Sequence, residues 1–171
     1  DRVLALDLAP IAKEIIVVND GSSDGTVKIL DRYRDRVTII THPKNRGKGS
    51  AVRTGFAHAH SEYVVVQDAD LEYNPEDFRA MLAYAREHDA RVVYGSRRLL
   101  HPEGGQQRGN WRFYFGGWFL TVLTNVLYGT RITDEPTCYK MIRRDVLDRI
   151  TLTAEGFEFC PEITAKIARL G

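Results

Sequence analysis

The segment VVVQDADLEYNPEDF, starting at Val64, places carboxylates at Asp68, Asp70 and Glu72 directly after a run of valines. Side chains of an extended segment alternate faces, so the three project to one side for as long as the chain stays extended. Carboxylates held that close repel one another unless a cation lies between them. Mg2+ or Mn2+ suits that place, because both take oxygen ligands and leave positions open for substrate phosphates. Two turn-capping aspartates are the plainer reading of Asp-x-Asp alone, and the company around the pair decides between the two. IIVVNDGSSDGT (15–26) either makes a tight strand-to-helix turn or offers Asp20 as an acceptor for a nucleobase. NRGKGSA (45–51) is either an ordinary helix start or a ligand loop. Its glycines let a backbone approach a ligand closely, and the ammonium of Lys48 can meet a phosphate.

These residues need elements to hold them. β-Branched runs predict strands at 13–20, 36–42, 62–68 and 90–97. Helices are expected at 26–34 with Asp24 as N-cap, at 45–61, and at 74–88 with Asn74 as N-cap and Pro75 at the first position. The alternation predicts an α/β fold: a mostly parallel sheet flanked by helices. Ligands of such sheets sit at the carboxyl ends of the strands. Here those ends carry Asn19-Asp20, Asp68-Ala69-Asp70 and Gly95-Ser96-Arg97. The first ten residues read as a helix tail with no strand before it. Residues 1–171 are therefore expected to form one domain lacking its first βα segment, with open sheet edges or a groove at that place.

Composition sets limits. The 171 residues suit one domain, and 43% hydrophobic content supports a core. Lys plus Arg number 24 against 23 Asp plus Glu, a balance that argues against bulk nucleic-acid binding. Cys138 and Cys160 lack neighbours at ligand spacing and read as reduced, buried thiols. His58 and His60 read as surface or packing histidines, and Arg143-Arg144 as a solvated charge pair. Glu158 and Glu162 read as charges at a helix N-terminus.

One further segment is ambiguous. On a helix, NWRFYFGGWFLTVLTNVLYG (110–129) shows a narrow polar stripe of Tyr114, Thr121, Thr124, Asn125 and Tyr128. The remainder is apolar and shorter than the roughly 20 residues that span a bilayer. It is either a buried core helix or a helix lying in a membrane interface, with Arg108 and Arg112 toward anionic groups.

Six stretches in order, IIVVNDGSSDGT, NRGKGSAVRTGF, VVVQDADLEYNPED, YGSRRL, TDEPTCYKMIRRDVL and EGFEFCPEITAKI, resemble family 2 glycosyltransferases of the GT-A fold. The likeness is to the dolichyl- or polyprenyl-phosphate sugar transferases and covers nearly the whole chain. It implies that Asp20, Lys48, Asp68 and Ala69 contact the nucleotide sugar. Asp68, Asp70 and Glu72 would hold Mg2+ or Mn2+. Arg97 and Arg112 would hold the acceptor phosphate, with Asp70, Arg97 and Asp134 at the reaction centre. Lys140 stands where relatives often carry arginine. The implied reaction moves a sugar from a UDP- or GDP-linked donor to a polyprenyl phosphate at the cytoplasmic face of a membrane. Two alternatives stand beside it: a family 2 enzyme building a polysaccharide or glycolipid, and a nucleotide-sugar-binding module without transfer activity.

Overall fold

A computed structural model of the protein describes residues 1–71, 73–97 and 111–171, with side chains at all of these except 111–114. Glu72 and Arg108 thus lie outside the described residues, as does the side chain of Arg112.

After a short helix α1 (Arg2–Ala5), β1 (Ile16–Asn19) and β2 (Thr38–Thr41) form a parallel pair, from Ile16–Thr38 to Asn19–Thr41. Helix α2 (Thr26–Leu30) and a 3-10 turn at Asp31–Tyr33 connect them. Gly25 takes the cap position, while Asp24 Oδ1 accepts the Thr26 N–H from one residue further out (2.9 Å). Helix α3 (Lys48–His58) packs on β1 and leads to β3 (Tyr63–Val65).

Helix α4 (Asp77–Glu87) begins three residues later than the sequence pattern puts it. Asn74 Oδ1 accepts the Glu76 N–H (3.3 Å) and an Arg2 guanidinium (2.7 Å), so it closes a turn ahead of the helix rather than capping it. Strand β4 (Val92–Tyr94) follows, then helix α5 (Trp111–Tyr128). The last elements are β5 (Lys140–Arg143), α6 (Arg144–Leu147) and α7 (Phe159–Ala168).

The α/β alternation holds, with an addition the sequence pattern did not single out. β5 inserts between β3 and β4, antiparallel to both, pairing Tyr63 with Arg143 and Val92 with Ile142. The core gathers around it: Met141 and Ile142 of β5, Phe78 and Ala85 of α4, Phe159 and Ile163 of α7 are all buried.

Among the described residues β1 pairs only with β2, and β3 only with β5. Both strands line a cavity of about 610 Å3, together with Val52 and Phe56 of α3 and Phe78 and Leu82 of α4.

Helix α5 is built inside out. Its polar stripe faces the protein, with Thr121 and Thr124 buried. Thr121 Oγ1 donates to Gly117 O (2.8 Å) and accepts the Glu135 N–H (3.0 Å). Asn125 Nδ2 donates to Ile132 O, while its Oδ1 accepts from Ile132 N–H and the Thr130 hydroxyl. Its apolar residues point outward, Phe115, Phe119 and Leu127 among them and Val126 at 76% exposure. The buried-core reading of this segment is therefore wrong. Polar side chains that satisfy the 130–135 connection took the inward face, since a buried backbone donor left unpaired is costly. No helix among the described residues is long and apolar enough to cross a membrane.

Candidate active site

The loop between β2 and α3 is tied to the end of β1 by Asp20. Its carboxylate accepts from Arg46 N–H (3.0 and 3.1 Å), Gly47 N–H (2.8 Å) and His42 Nδ1 (2.7 Å). His42 Nε2 in turn meets Thr54 Oγ1 on α3 (2.9 Å). Burial alone would raise the Asp20 carboxyl, but these hydrogen bonds hold it below its ordinary value. Both oxygens are engaged with the loop, so Asp20 shapes the site's wall.

The glycines of NRGKGSA answer to a close approach. Gly47 has φ +89°, a left-handed conformation, and a Cβ there would lie 2.4 Å from Glu155 O. A Cβ on Gly49 would lie 2.4 Å from Ala154 O. Ser50 N–H donates to Glu155 O (3.2 Å), which clasps the start of α3 against the 154–156 loop. Glu162 and Glu158 hold that loop from α7. Glu162 accepts the N–H groups of Thr153 and Ala154, and Glu158 those of Glu155 and Gly156.

Lys48 thereby reaches the end of β3. Its Nζ lies 2.8 Å from Asp68 Oδ2 and 2.8 Å from Cys138 Sγ, and 5.5 Å from the centre of the Phe157 ring. Burial works against its charge, yet these partners raise the Lys48 pKa. Strand β3 ends at Val65, and the chain turns at Ala69-Asp70 instead of staying extended. Asp70 is exposed in that turn. Leu71 follows at φ +65°, a costly conformation for a side chain of that size and one that concentrates at functional sites. Alternation along an extended strand therefore does not align Asp68 with Asp70; a strained turn presents Asp70.

Arg97 and Asp134 meet. Asp134, 3% exposed, takes Arg97 Nε (2.8 Å) on Oδ2 and Nη2 (2.9 Å) on Oδ1, and accepts the Arg97 backbone N–H (3.1 Å). This two-pronged geometry fixes the guanidinium plane. Tyr73 joins this cluster to Asp68. Its hydroxyl accepts from Cys138 N–H (3.3 Å), and its ring stacks on Tyr139 (4.2 Å). Tyr139 donates to Gln67 Oε1 (2.7 Å), the residue before Asp68. Burial pushes the Tyr73 phenol up, offset in part by the Thr137 hydrogen bond and the Arg97 charge.

Tyr73, Tyr139 and Gln67 escaped the sequence reading. The aromatic residues flanking the acidic motifs were the available signal. Lys140 turns out to be structural: it is buried, donates to Glu135 O and Thr137 O, and sits 5.2 Å from the Tyr94 ring centre. Burial lowers its pKa and raises that of Glu135. Arg143 pairs with Asp89 and Asp145, and Arg144 donates to Phe56 O and Ala59 O. Cys138 and Cys160 are free and buried, as expected. His58 and His60 make local surface contacts with Thr54 O and Glu14.

No three His, Cys, Asp or Glu side chains gather as a metal cage among the described residues. Asp68 and Asp70 remain a fitting donor set. Mg2+ is commonly held by one or two carboxylates plus substrate phosphates, and the Lys48 ammonium demonstrates that Asp68 accepts a cation here.

Residues 2–151 match the family model described as Glycosyl transferase family 2. Human dolichyl-phosphate beta-glucosyltransferase is 32% identical over 168 residues, covering 88% of this chain and 50% of that protein. The chain spans about half the length of the dolichyl-phosphate beta-glucosyltransferases it matches. Among solved structures, Mycobacterium tuberculosis glucosyl-3-phosphoglycerate synthase with UDP superposes at a TM-score of 0.68. It is 18% identical, over 93% of this chain and 56% of that one. The same synthase with Mn2+, UDP and glucosyl-3-phosphoglycerate gives 0.62 at 17% identity, with the same coverage. The fold is GT-A.

Proposed function

The chain belongs to glycosyl transferase family 2, and from that premise we propose that its site moves a sugar from a nucleotide-sugar donor to a polyprenyl phosphate. The observation that carries the choice of acceptor is the Arg97–Asp134 fork. A hydroxyl acceptor needs a general base, but both Asp134 oxygens are bound to Arg97. A phosphate acceptor is already anionic and needs a fixed cation instead. Asp134 makes Arg97 that cation, and Arg112 on α5 is the second candidate.

On the donor side, Asp20 holds the 46–47 backbone in place and Lys48 stands ready for the diphosphate. Asp68 and Asp70 would hold Mg2+ or Mn2+, whose charge neutralises the departing diphosphate. Named relatives support a lipid phosphate acceptor, and the neighbour with Mn2+ and UDP supports a UDP-linked donor and a divalent cation. The outward apolar side of α5 supports seating on a membrane surface, since an interfacial helix buries that side among acyl chains.

Calorimetric titration with UDP-glucose and GDP-mannose, with and without Mn2+, tests the donor site. Metal-dependent binding of one donor, lost in Asp70→Asn, is the expected result. Binding that ignores both the metal and the substitution would overturn it. Liposome flotation tests α5: Val126→Asp with Leu127→Asp should abolish co-flotation with vesicles. Equal flotation of variant and parent would remove the membrane from the reading.

A further inference from the structure

We propose that Lys48 is the resident counter-cation of Asp68, and that a nucleoside diphosphate must draw it away before a divalent cation can bind that carboxylate. The inference rests on the donor-site reading above and adds an order of events to it.

The Lys48 ammonium touches Asp68 at 2.8 Å, and both side chains are only 19% exposed. A divalent cation bound to Asp68 would stand within a few ångströms of that ammonium. Like charges at such a distance, away from bulk water, repel strongly. Cation and ammonium therefore compete for one carboxylate. Among the described residues Asp68 is the one acidic side chain that Lys48 touches. Its other partners, Cys138 Sγ and the Phe157 ring, cannot replace a full negative charge. A diphosphate can.

The backbone supports an exchange by side-chain rotation alone. Gly47 and Gly49 press against the 154–156 loop, so the Lys48 Cα stays where it is. The four-carbon stem is the part that swings. When the ammonium passes to a diphosphate, Asp68 is freed at the moment a further anion arrives to share the cation. Donor and metal then bind cooperatively, and by linkage each strengthens the other by the same factor.

The test measures Mn2+ affinity from the electron paramagnetic resonance signal of free Mn2+. It compares the parent, Lys48→Met and Lys48→Arg, each alone and with UDP or GDP. Without nucleotide, Lys48→Met should bind Mn2+ about fivefold tighter than the parent or better, the lower end of usual coupling factors. Its gain on adding nucleotide should shrink by the same factor. Lys48→Arg keeps the charge and should behave like the parent, while thermal unfolding checks that each variant is folded. Nucleotide-enhanced Mn2+ binding by the parent, with Lys48→Met no tighter than the parent in its absence, would overturn the exchange and leave the donor site intact. Tightening of Lys48→Arg to the same extent would also overturn it, because charge would then not be the cause. Failure of every form to bind Mn2+ at saturating nucleotide would defeat the donor-site reading and this inference with it.

Discussion

Asp134 is buried on the connection that leads into β5, the central strand of a three-stranded sheet, which carries the fully buried Ile142. Asp20 and Asp68 stand just beyond the ends of β1 and β3, strands that line an apolar cavity and, among the described residues, pair on one side only. β1 and β2 contribute no fully buried apolar side chain. The half proposed to hold the acceptor is thus shaped by hydrophobic packing. The half proposed to hold the donor is shaped by polar clamps: Asp20 on the 46–47 backbone, and Glu158 and Glu162 on the 153–156 loop. Packing fixes a group against displacement in every direction. Clamps hold a loop and still let one side chain, Lys48, change partners.

The largest effect is expected from Asp134→Asn. Losing the ionic fork should lower sugar transfer to a polyprenyl phosphate by about 10²–10³-fold, as loss of a fixed charge-stabilising contact typically does, with donor binding unchanged. Loss of donor binding by calorimetry would mean that the two halves are not separate. Next, Ile142→Ala should cost about 2–5 kcal/mol of unfolding free energy in urea, against about 1 kcal/mol for the half-buried Val17→Ala. Equal costs would erase the distinction. Gly49→Ala should cost about 1–3 kcal/mol, because its Cβ must push Ala154 O away. It should also weaken donor binding, whereas Ile142→Ala should leave donor affinity in the folded protein alone.

The smallest effect is on acid stability. Burial would raise the Glu162 carboxyl, but Lys166, Ala154 N–H and Thr153 lower it from 4.5 to about 2. A lowered folded-state pKa contributes stability in full above pH 4.5 and loses it as the pH falls toward 2. Glu162→Gln should therefore raise the midpoint of acid unfolding by a few tenths of a pH unit, a small fraction of the carboxyl's own shift. An unmoved midpoint would show that the 153–154 clasp does not depend on this charge.

Much of this was legible in the residues. Short β-branched runs ending in Asn-Asp or Asp-Ala-Asp are local signals, and they placed β1 and β3, though not the turn that follows β3. The glycines around Lys48 announced a close approach, although the approaching atoms proved to be Ala154 O and Glu155 O of the same chain. β5 was not legible, because KMIR is short, carries two cations, and becomes a buried strand only through partners about 80 positions away in sequence. The inversion of α5 was hidden for a similar reason. Amphipathicity defines two faces but does not say which one turns inward when the protein's own backbone needs the polar one. Asp134 was found by motif, and its engagement with Arg97 needed the fold.

The place of β5 also governs the making of the protein. Tyr63 waits for Arg143, and Val92 for Ile142. At about 5–20 residues per second, β3 emerges from the ribosome roughly 4–16 s before its central neighbour. For that interval β3 and β4 are two separate ribbons with nothing between them. The half of the site built around β5 therefore cannot assemble until residues 140–143 have emerged, and a nascent chain stalled before residue 140 would present two adhesive edges to any chaperone or aggregate at hand.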